Sequence, residues 1–402
     1  MKKYITPFFI CLTSFLTNGI IFGFLNSYGL IYQYLIIENK HDENIAIKAS
    51  TLGSLKNGVL FLFAGISSIL CKKIGLRPTC VIGIFLSVFT LIGSSFLVHN
   101  INALFFTYGI VHSIGSSLVY IPSLSILFHH FEKRVGLANG FASVGSSVFT
   151  IILPMLLNTF LSKYGLNSLL KLEASMYFAL IVGILFWNTS NKRISPQISN
   201  STHLQVVDPN INQEKTVTDN CPVVKNVQKP TFFNSYSNQI VNRSIKGEML
   251  IMIIGIGSAI SRILFGSISD LKLINRVLLQ QIAIFVCGCC FVLVPLTIQS
   301  YYIAIVCLFM GLSDGIIVCL IGPICYDLLG STDANNGVGF SLTVISIPVS
   351  IGPLLSGVIM ANTHRYDYIF YTSSCYAFIS SILMILIYTT CSDKKFVKIS
   401  KK

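Results

Sequence analysis

The sequence predicts an all-α polytopic membrane protein made of two helical bundles, six spans in the first and five in the second. Three observations predict it. Apolar residues make up 53% of the 402 positions and charged ones only 11%, with a mean hydropathy of +0.74. The apolar residues gather into runs of about 20, the length that crosses a bilayer. One long polar stretch, Asn188–Gly247, divides those runs into two groups. No soluble class fits such a composition.

In chain order the first group reads Tyr4–Leu35, Leu52–Leu70, Thr79–Val98, Ala103–Phe128, Gly136–Leu161 and Ser168–Trp187. The last is the least clean, because Lys171 and Glu173 lie near its start. The polar stretch is rich in Asn, Ser, Thr, Lys and Gln, lacks any long apolar window, and is expected to be disordered or loosely ordered. Met249–Ile268, Val277–Ile298, Tyr302–Tyr326, Val338–Met360 and Tyr368–Thr390 follow it. The expected organisation is a six-helix bundle over 1–188, a polar linker over 189–248, a five-span bundle over 249–391 and a basic tail over 392–402. Two bundles joined in the middle are the usual plan of a secondary transporter.

The net charge of +13 is not a nucleic-acid footprint, because the basic residues form short clusters between apolar runs. The 12 cysteines show neither metal-ligand nor disulfide spacing, and Cys287, Cys289 and Cys290 sit together inside a span as small apolar residues. Lys2 and Lys3 precede an apolar stretch too long for a cleaved signal peptide. No Ser/His/Asp, HExxH, P-loop or CxxC arrangement appears, so no enzyme activity and no cofactor is expected.

Positive residues favour cytoplasmic loops. Lys2 and Lys3, then Lys72, Lys73 and Arg77, then Lys133 and Arg134, then Lys192 and Arg193 occupy alternate loops, which puts both ends of the first block inside. Lys272, Arg276 and the tail ask for the same side. Yet only one span separates the linker from Lys272, and two loops on one side need an even number of crossings between them. One helix is missing from the count, so either the second bundle inverts or one segment fails to cross.

Arg262 is the only charge between Glu248 and Asp270, in the middle of an apolar run. Such a charge costs about 2.5–3.5 kcal/mol on insertion scales and marks a functional site by default. Asp314 is the only ionised residue within the apolar part of Tyr302–Tyr326 and is its candidate partner. The pair reads either as a transport site or as a fixed ion pair between two helices. Ser14, Asn18 and Asn26 fall roughly on one face of the first span, and His112, Ser116 and Tyr120 on one face of the fourth. Each polar residue alone fits helix–helix hydrogen bonding; the two stripes together point to a central polar cavity. Lys56, near the start of the second run, is expected to snorkel to the interface rather than meet substrate. The small residues of Gly136–Ser147 suit a closely packed rocking interface. Pro348 and Pro353 are expected to break the regular hydrogen bonding of their helix. Finally, Gly65 with Lys72, Gly75 and Arg77, and Gly266 with Asp270 and Arg276, form a weak internal repeat of a small-residue helix end and a basic tight loop.

At Asn18–Gly29 (NGIIFGFLNSYG), Phe106–Ile110 (FTYGI), Pro122–Ser147 (PSLSILFHHFEKRVGLANGFASVGSS), Ser261–Asp270 (SRILFGSISD), Phe309–Gly315 (FMGLSDG) and Gly339–Gly357 (GFSLTVISIPVSIGPLLSG), the chain resembles the monocarboxylate transporter family of the major facilitator superfamily. Its nearest branch is that of the thyroid-hormone and aromatic-amino-acid transporters. The resemblance implies a twelve-helix fold, alternating access and a cavity between the halves. It also implies that Arg262 and Asp314 are a functionally required pair, with Gly75, Arg77, Gly266 and Asp270 in the gating loops. Proton-coupled lactate carriers have an acid one turn before the arginine and a lysine in the first helix; Ser258 and Asn26 stand there. Leu25 replaces the histidine of hormone carriers, and Lys72 replaces an acidic residue of the loop after the second helix, weakening the gating contact expected there. The absent span is the family's seventh helix, one wall of the cavity, and a skipped exon or a faulty gene model accounts for it.

These readings lead to a plasma-membrane carrier of aromatic amino acids, iodothyronines or related organic acids, facilitative, with cytoplasmic termini and linker. Its partners are a small organic substrate and the lipid bilayer. The rival within the class is a proton-linked lactate or pyruvate carrier, and the rival outside it is a non-transporting scaffold or defective splice form. An eleven-span form is expected to be retained and inactive, with Asn200-Ser201-Thr202 and Asn242-Arg243-Ser244 unglycosylated.

Overall fold

A computed structural model describes residues 2–39, 45–131, 134–185, 187, 247–271, 274–297, 299–363, 365 and 367–392, and every regular element among them is a helix. Helix α1 (Lys2–Asn26) continues after Ser27 as α2 (Tyr28–Glu38), and α3 (Ile45–Leu62) continues after Phe63 as α4 (Ala64–Ile74). Next come α5 (Leu76–Phe96), α6 (Ile101–Leu104), a π-helical turn over Phe105–Val111, α7 (His112–His130) and α8 (Val135–Leu185). The second block holds α9 (Gly247–Ile268), α10 (Arg276–Leu296), α11 (Ser300–Thr363) and α12 (Asp367–Ser392).

Ten of the described helical stretches are long and apolar enough to span a membrane. The longest, Val135–Leu185, divides at Gly165, so the described residues hold eleven crossing-length segments, one for each apolar run of the sequence. Gly165 and Gly330 have φ of 73° and 75°, a conformation that side chains disfavour, and each lets two helices meet with no loop between them. In lipid the backbone must satisfy its own hydrogen bonds, which is why long helices are the only elements these runs form. Pro348 does not break α11, whose one non-helical residue is Gly330. The helix continues through the proline although its missing N–H removes the bond to the Val344 carbonyl, as membrane helices packed against neighbours tolerate.

Within the first block α1 lies along the early part of α8, and α5 along α7. In the second, α9 packs on α11 and α10 on α12. The blocks meet along two seams, α8 against α9 and α3–α4 against α11. Large apolar side chains such as Phe89, Phe96, Leu185 and Phe340 stand on the outer surface, which suits a protein solvated by lipid.

The seams also fix which ends lie together. Arg77 donates to the carbonyl of Leu185, Lys72 pairs with Asp333, and Asp270 accepts from the backbone of Gly136. The loop after α4, the start and finish of α8, and the finish of α9 therefore share one end. Inversion of the second block, one of the two outcomes of an odd crossing count, is not what the chain adopts. The close packing of Gly136 and Gly140 on Gly266 requires this orientation. Residues 187 and 247 accordingly stand at opposite ends. The linker, with the acceptors Asn200 and Asn242 and the place where the absent span would fall, and the basic tail beyond Ser392 lie outside the described residues.

Candidate functional site

Glycines set the distance between α9 and α11. A Cβ on Gly315 would fall 1.8 Å from Ser261 Oγ, and one on Gly311 would fall 2.2 Å from the carbonyl oxygen of Ile254. Asp314, between those glycines, is thereby brought against Arg262, with Oδ2 3.4 Å from Nη2. The two groups differ in setting: the Arg262 side chain is 7% exposed and that of Asp314 51%. Ser258 donates to the same carboxylate oxygen at 2.9 Å, and Ser147 of α8 donates to Ser258 at 3.3 Å. Arg262 also reaches across the seam, where Nη1 donates to the carbonyl of Ser143 and the hydroxyl of Ser146, while Nε has no partner among the described residues. The predicted pair exists, and it is anchored to the other block as well.

The α8–α9 seam ends in a polar clasp. The carboxylate of Asp270 accepts from the first backbone amides of α8, Gly136 at 2.8 Å and Leu137 at 2.9 Å, where the helix dipole favours an anion. Arg276 holds Asp270 at 3.0 Å and Asp327 at 2.7 Å. On the opposite seam the Thr343 hydroxyl accepts from the amide of Gly65, Ser68 donates to Asn336, and Lys72 pairs with Asp333. Lys72, at a position where the resemblance calls for an acid, thus makes an exposed ion pair across this seam. The seams mirror each other. A Cβ on Gly140 would meet the Arg262 carbonyl oxygen and Gly266 Cα, while one on Gly339 would meet the Ala64 carbonyl oxygen and Ser68 Cβ. This pairs Ser68, rather than Gly65, with Gly266, and Ala64 with Arg262.

The Major Facilitator Superfamily profile matches residues 5–353. Monocarboxylate transporter 10 of Mus musculus is 33% identical over 415 aligned residues, which cover 98% of this chain and 80% of the relative. The chain belongs to the monocarboxylate transporter family of the major facilitator superfamily. Monocarboxylate transporter 10 of Homo sapiens is 31% identical, covering 90% of this chain and 74% of its own. Monocarboxylate transporter 4 of Mus musculus is 22% identical, covering 95% and 83%. The crystal structure of the human organic anion transporter MFSD10 (TETRAN) superposes with a TM-score of 0.61 at 11% identity, over 94% of this chain and 98% of that one, and shows the shared fold.

In this monocarboxylate transporter family member the remaining predicted residues divide between two places. Asn26 is exposed and donates to Thr150 of α8 at 2.8 Å, whereas buried Asn18 donates to the carbonyl of Ser14, one turn back in its own helix. Tyr120 packs edge-on against Phe22 and lies within electrostatic reach of Arg262. His112 faces elsewhere, away from the Arg262 pair. Its Nε2 is 3.3 Å from Glu173 Oε1, and its ring stacks on Tyr108 and meets Tyr177 edge-on. Ser116 joins this second group through Tyr177 at 2.7 Å.

Lys56 belongs to it too, and the snorkelling expectation is wrong. Its ammonium lies inside the first block, 3.4 Å from Glu173 Oε1 and hydrogen-bonded to the Tyr108 hydroxyl. Helix α3 begins at Ile45, so Lys56 sits three turns inside it and its stem cannot reach the membrane surface. The π-helical turn over Phe105–Val111 stacks Tyr108 on His112, with parallel rings 5.4 Å apart, and turns its hydroxyl toward Lys56. Glu173, which made the sixth run look unclean, was the sequence signal for this cluster.

Proposed function

We propose that this protein is a facilitative, alternating-access carrier of the plasma membrane for aromatic amino acids, iodothyronines or related organic acids. The observation that supports it best is the environment of Arg262: a buried guanidinium beside a half-exposed carboxylate, at a seam between two blocks. A charge-assisted bond is strong in such a low-dielectric setting, so Arg262 receives the substrate carboxylate. Asp314, open on one side, holds Arg262 when the site is empty or meets a substrate ammonium. Tyr120 stands near Arg262, Asn26 braces α8 through Thr150, and buried Asn18 and His112 lie further from the pair.

Ser258 and Asn26 stand where the resemblance to proton-coupled lactate carriers calls for an acid one turn before the arginine and a lysine, which favours transport without a dedicated proton relay. The end that holds Lys72, Lys73, Arg77 and Arg276 faces the cytoplasm under the positive-inside rule. Both seams are closed there, which describes a carrier shut on its cytoplasmic side.

Uptake of a labelled aromatic amino acid, run beside labelled lactate in proteoliposomes holding the chain with its seventh span restored, tests the reading. Saturable aromatic uptake that exceeds lactate uptake is the expected result. Lactate preference would turn the assignment to a small-acid carrier. No uptake of either, from protein that reaches the cell surface normally, would make the chain a non-transporting membrane protein.

A further inference from the structure

Arg262 has acceptors on both sides of the seam. Asp314 lies in its own block, on α11, and keeps station with α9 when the blocks move. The Ser143 carbonyl and Ser146 hydroxyl lie on α8 in the other block and take Nη1. Both serines are buried. Ser146 also donates to the Ser143 carbonyl at 3.0 Å, and Thr150, which Asn26 holds from α1, donates to the backbone oxygen of Ser146. The hydroxyl is therefore held on a braced stretch of α8, aimed at the guanidinium.

When α8 and α9 separate, the cation keeps Asp314 and loses two acceptors. A buried cation stripped of acceptors is costly, so the empty carrier resists opening this seam. A substrate carboxylate in the site supplies replacement acceptors before the seam parts. A ligand shifts a conformational equilibrium only by its differential interaction with the two states, and here that difference is the set of bonds to Nη1.

We propose that Ser146 is a positioning residue that latches Arg262 across the seam of the empty carrier, and that the substrate carboxylate releases the latch. The inference rests on the reading that Arg262 meets the carboxylate. Its consequence is kinetic: the substrate-loaded carrier reorients faster than the empty one, so exchange outruns net flux. Removing one hydrogen bond to a charged group changes a rate by about tenfold at the least. Ser146→Ala therefore speeds reorientation of the empty carrier by at least that factor and leaves the loaded step alone.

The experiment compares uptake of a labelled aromatic amino acid into empty proteoliposomes with uptake into vesicles preloaded with the unlabelled compound, using the chain with its seventh span restored. Wild type is expected to exchange faster than it fills. Ser146→Ala is expected to lower the exchange-to-net ratio at least about tenfold through faster net uptake, whereas Ser146→Thr, which keeps a hydroxyl, holds the wild-type ratio. Ser146→Gly, expected to behave as the alanine variant, serves if that variant does not fold. An unchanged ratio in a folded hydroxyl-free variant, or a threonine variant that behaves as alanine does, overturns the latch. Arg262→Ala in the same vesicles separates the two ideas. Loss of uptake in that variant with an unchanged Ser146 ratio defeats the latch alone, while persisting uptake defeats the carboxylate reading beneath it.

Discussion

Lys56 and Glu173 form an ion pair inside the first block, with Nζ 3.4 Å from Oε1 and side chains 4% and 1% exposed. The pair ties α3 to α8, and through Tyr108 and His112 it engages the fourth span as well. Breaking such a pair by removing one partner costs about 3–5 kcal/mol, because the survivor is left charged and unpaired, whereas replacing both with apolar groups of similar volume is often neutral. Lys56→Ala and Glu173→Ala should each lower the unfolding temperature of the detergent-purified protein sharply. Lys56→Met combined with Glu173→Met should recover most of the loss. Single variants that melt with wild type would show that the cluster contributes little.

The Arg262–Asp314 pair should behave differently under the same treatment. In the form with the seventh span restored, Arg262→Ala and Asp314→Ala are each expected to abolish uptake of labelled aromatic amino acid, with protein still present at the surface. The double exchange of Arg262→Asp with Asp314→Arg is expected to stay inactive, since a carboxylate buried at position 262 cannot receive the substrate's own. Recovery in the double exchange would identify a static pair.

Uptake should respond little to an imposed pH gradient. Ser258 occupies the position where proton-coupled relatives carry an acid, and its hydroxyl is already committed to Asp314. A steep rise in uptake on external acidification, with protons moving inward alongside substrate, would revive the small-acid reading.

The two seam ends should tolerate substitution unequally. Asp270 accepts two helix-end amides and the Arg276 guanidinium in a mostly buried setting. Asp270→Ala removes bonds that involve a charge, about 1.5–3 kcal/mol apiece. Lys72 and Asp333 are well exposed, and such pairs contribute at most about 1 kcal/mol. Transport and cytoplasmic-side closure, followed by thiol labelling of a cysteine placed in the seam, should therefore fail in Asp270→Ala and survive in Lys72→Ala.

Much of this molecule was legible from runs of apolar residues, because spanning helices leave no choice about length or backbone pairing. Arg262 and Asp314 were legible for the same reason: a lone charge in an apolar run has nowhere to hide. Lys56 was misread because the run Leu52–Leu70 began too late and left it about one turn from the start. The helix starts at Ile45, with Lys56 well within it. Complementary flaws in two separate runs, a lysine in one and a glutamate in another, were the available clue. The small residues of Gly136–Ser147 announced close packing, but only the fold shows that the backbone of Arg262 is what packs there. The repeat was sensed one turn out of step, since a glycine and a serine serve equally well where two helices touch.

The mirrored seams carry one more consequence. At the position where α9 holds Arg262, α4 holds Ala64, packed against Gly339 with no charge to satisfy. A near-twofold molecule has thus been given one sentry and one bare pivot. If Arg262 receives the substrate as proposed, cargo chemistry is read along a single edge, while the opposite edge, with no charge at that position, can evolve in shape and slip without altering what the carrier recognises.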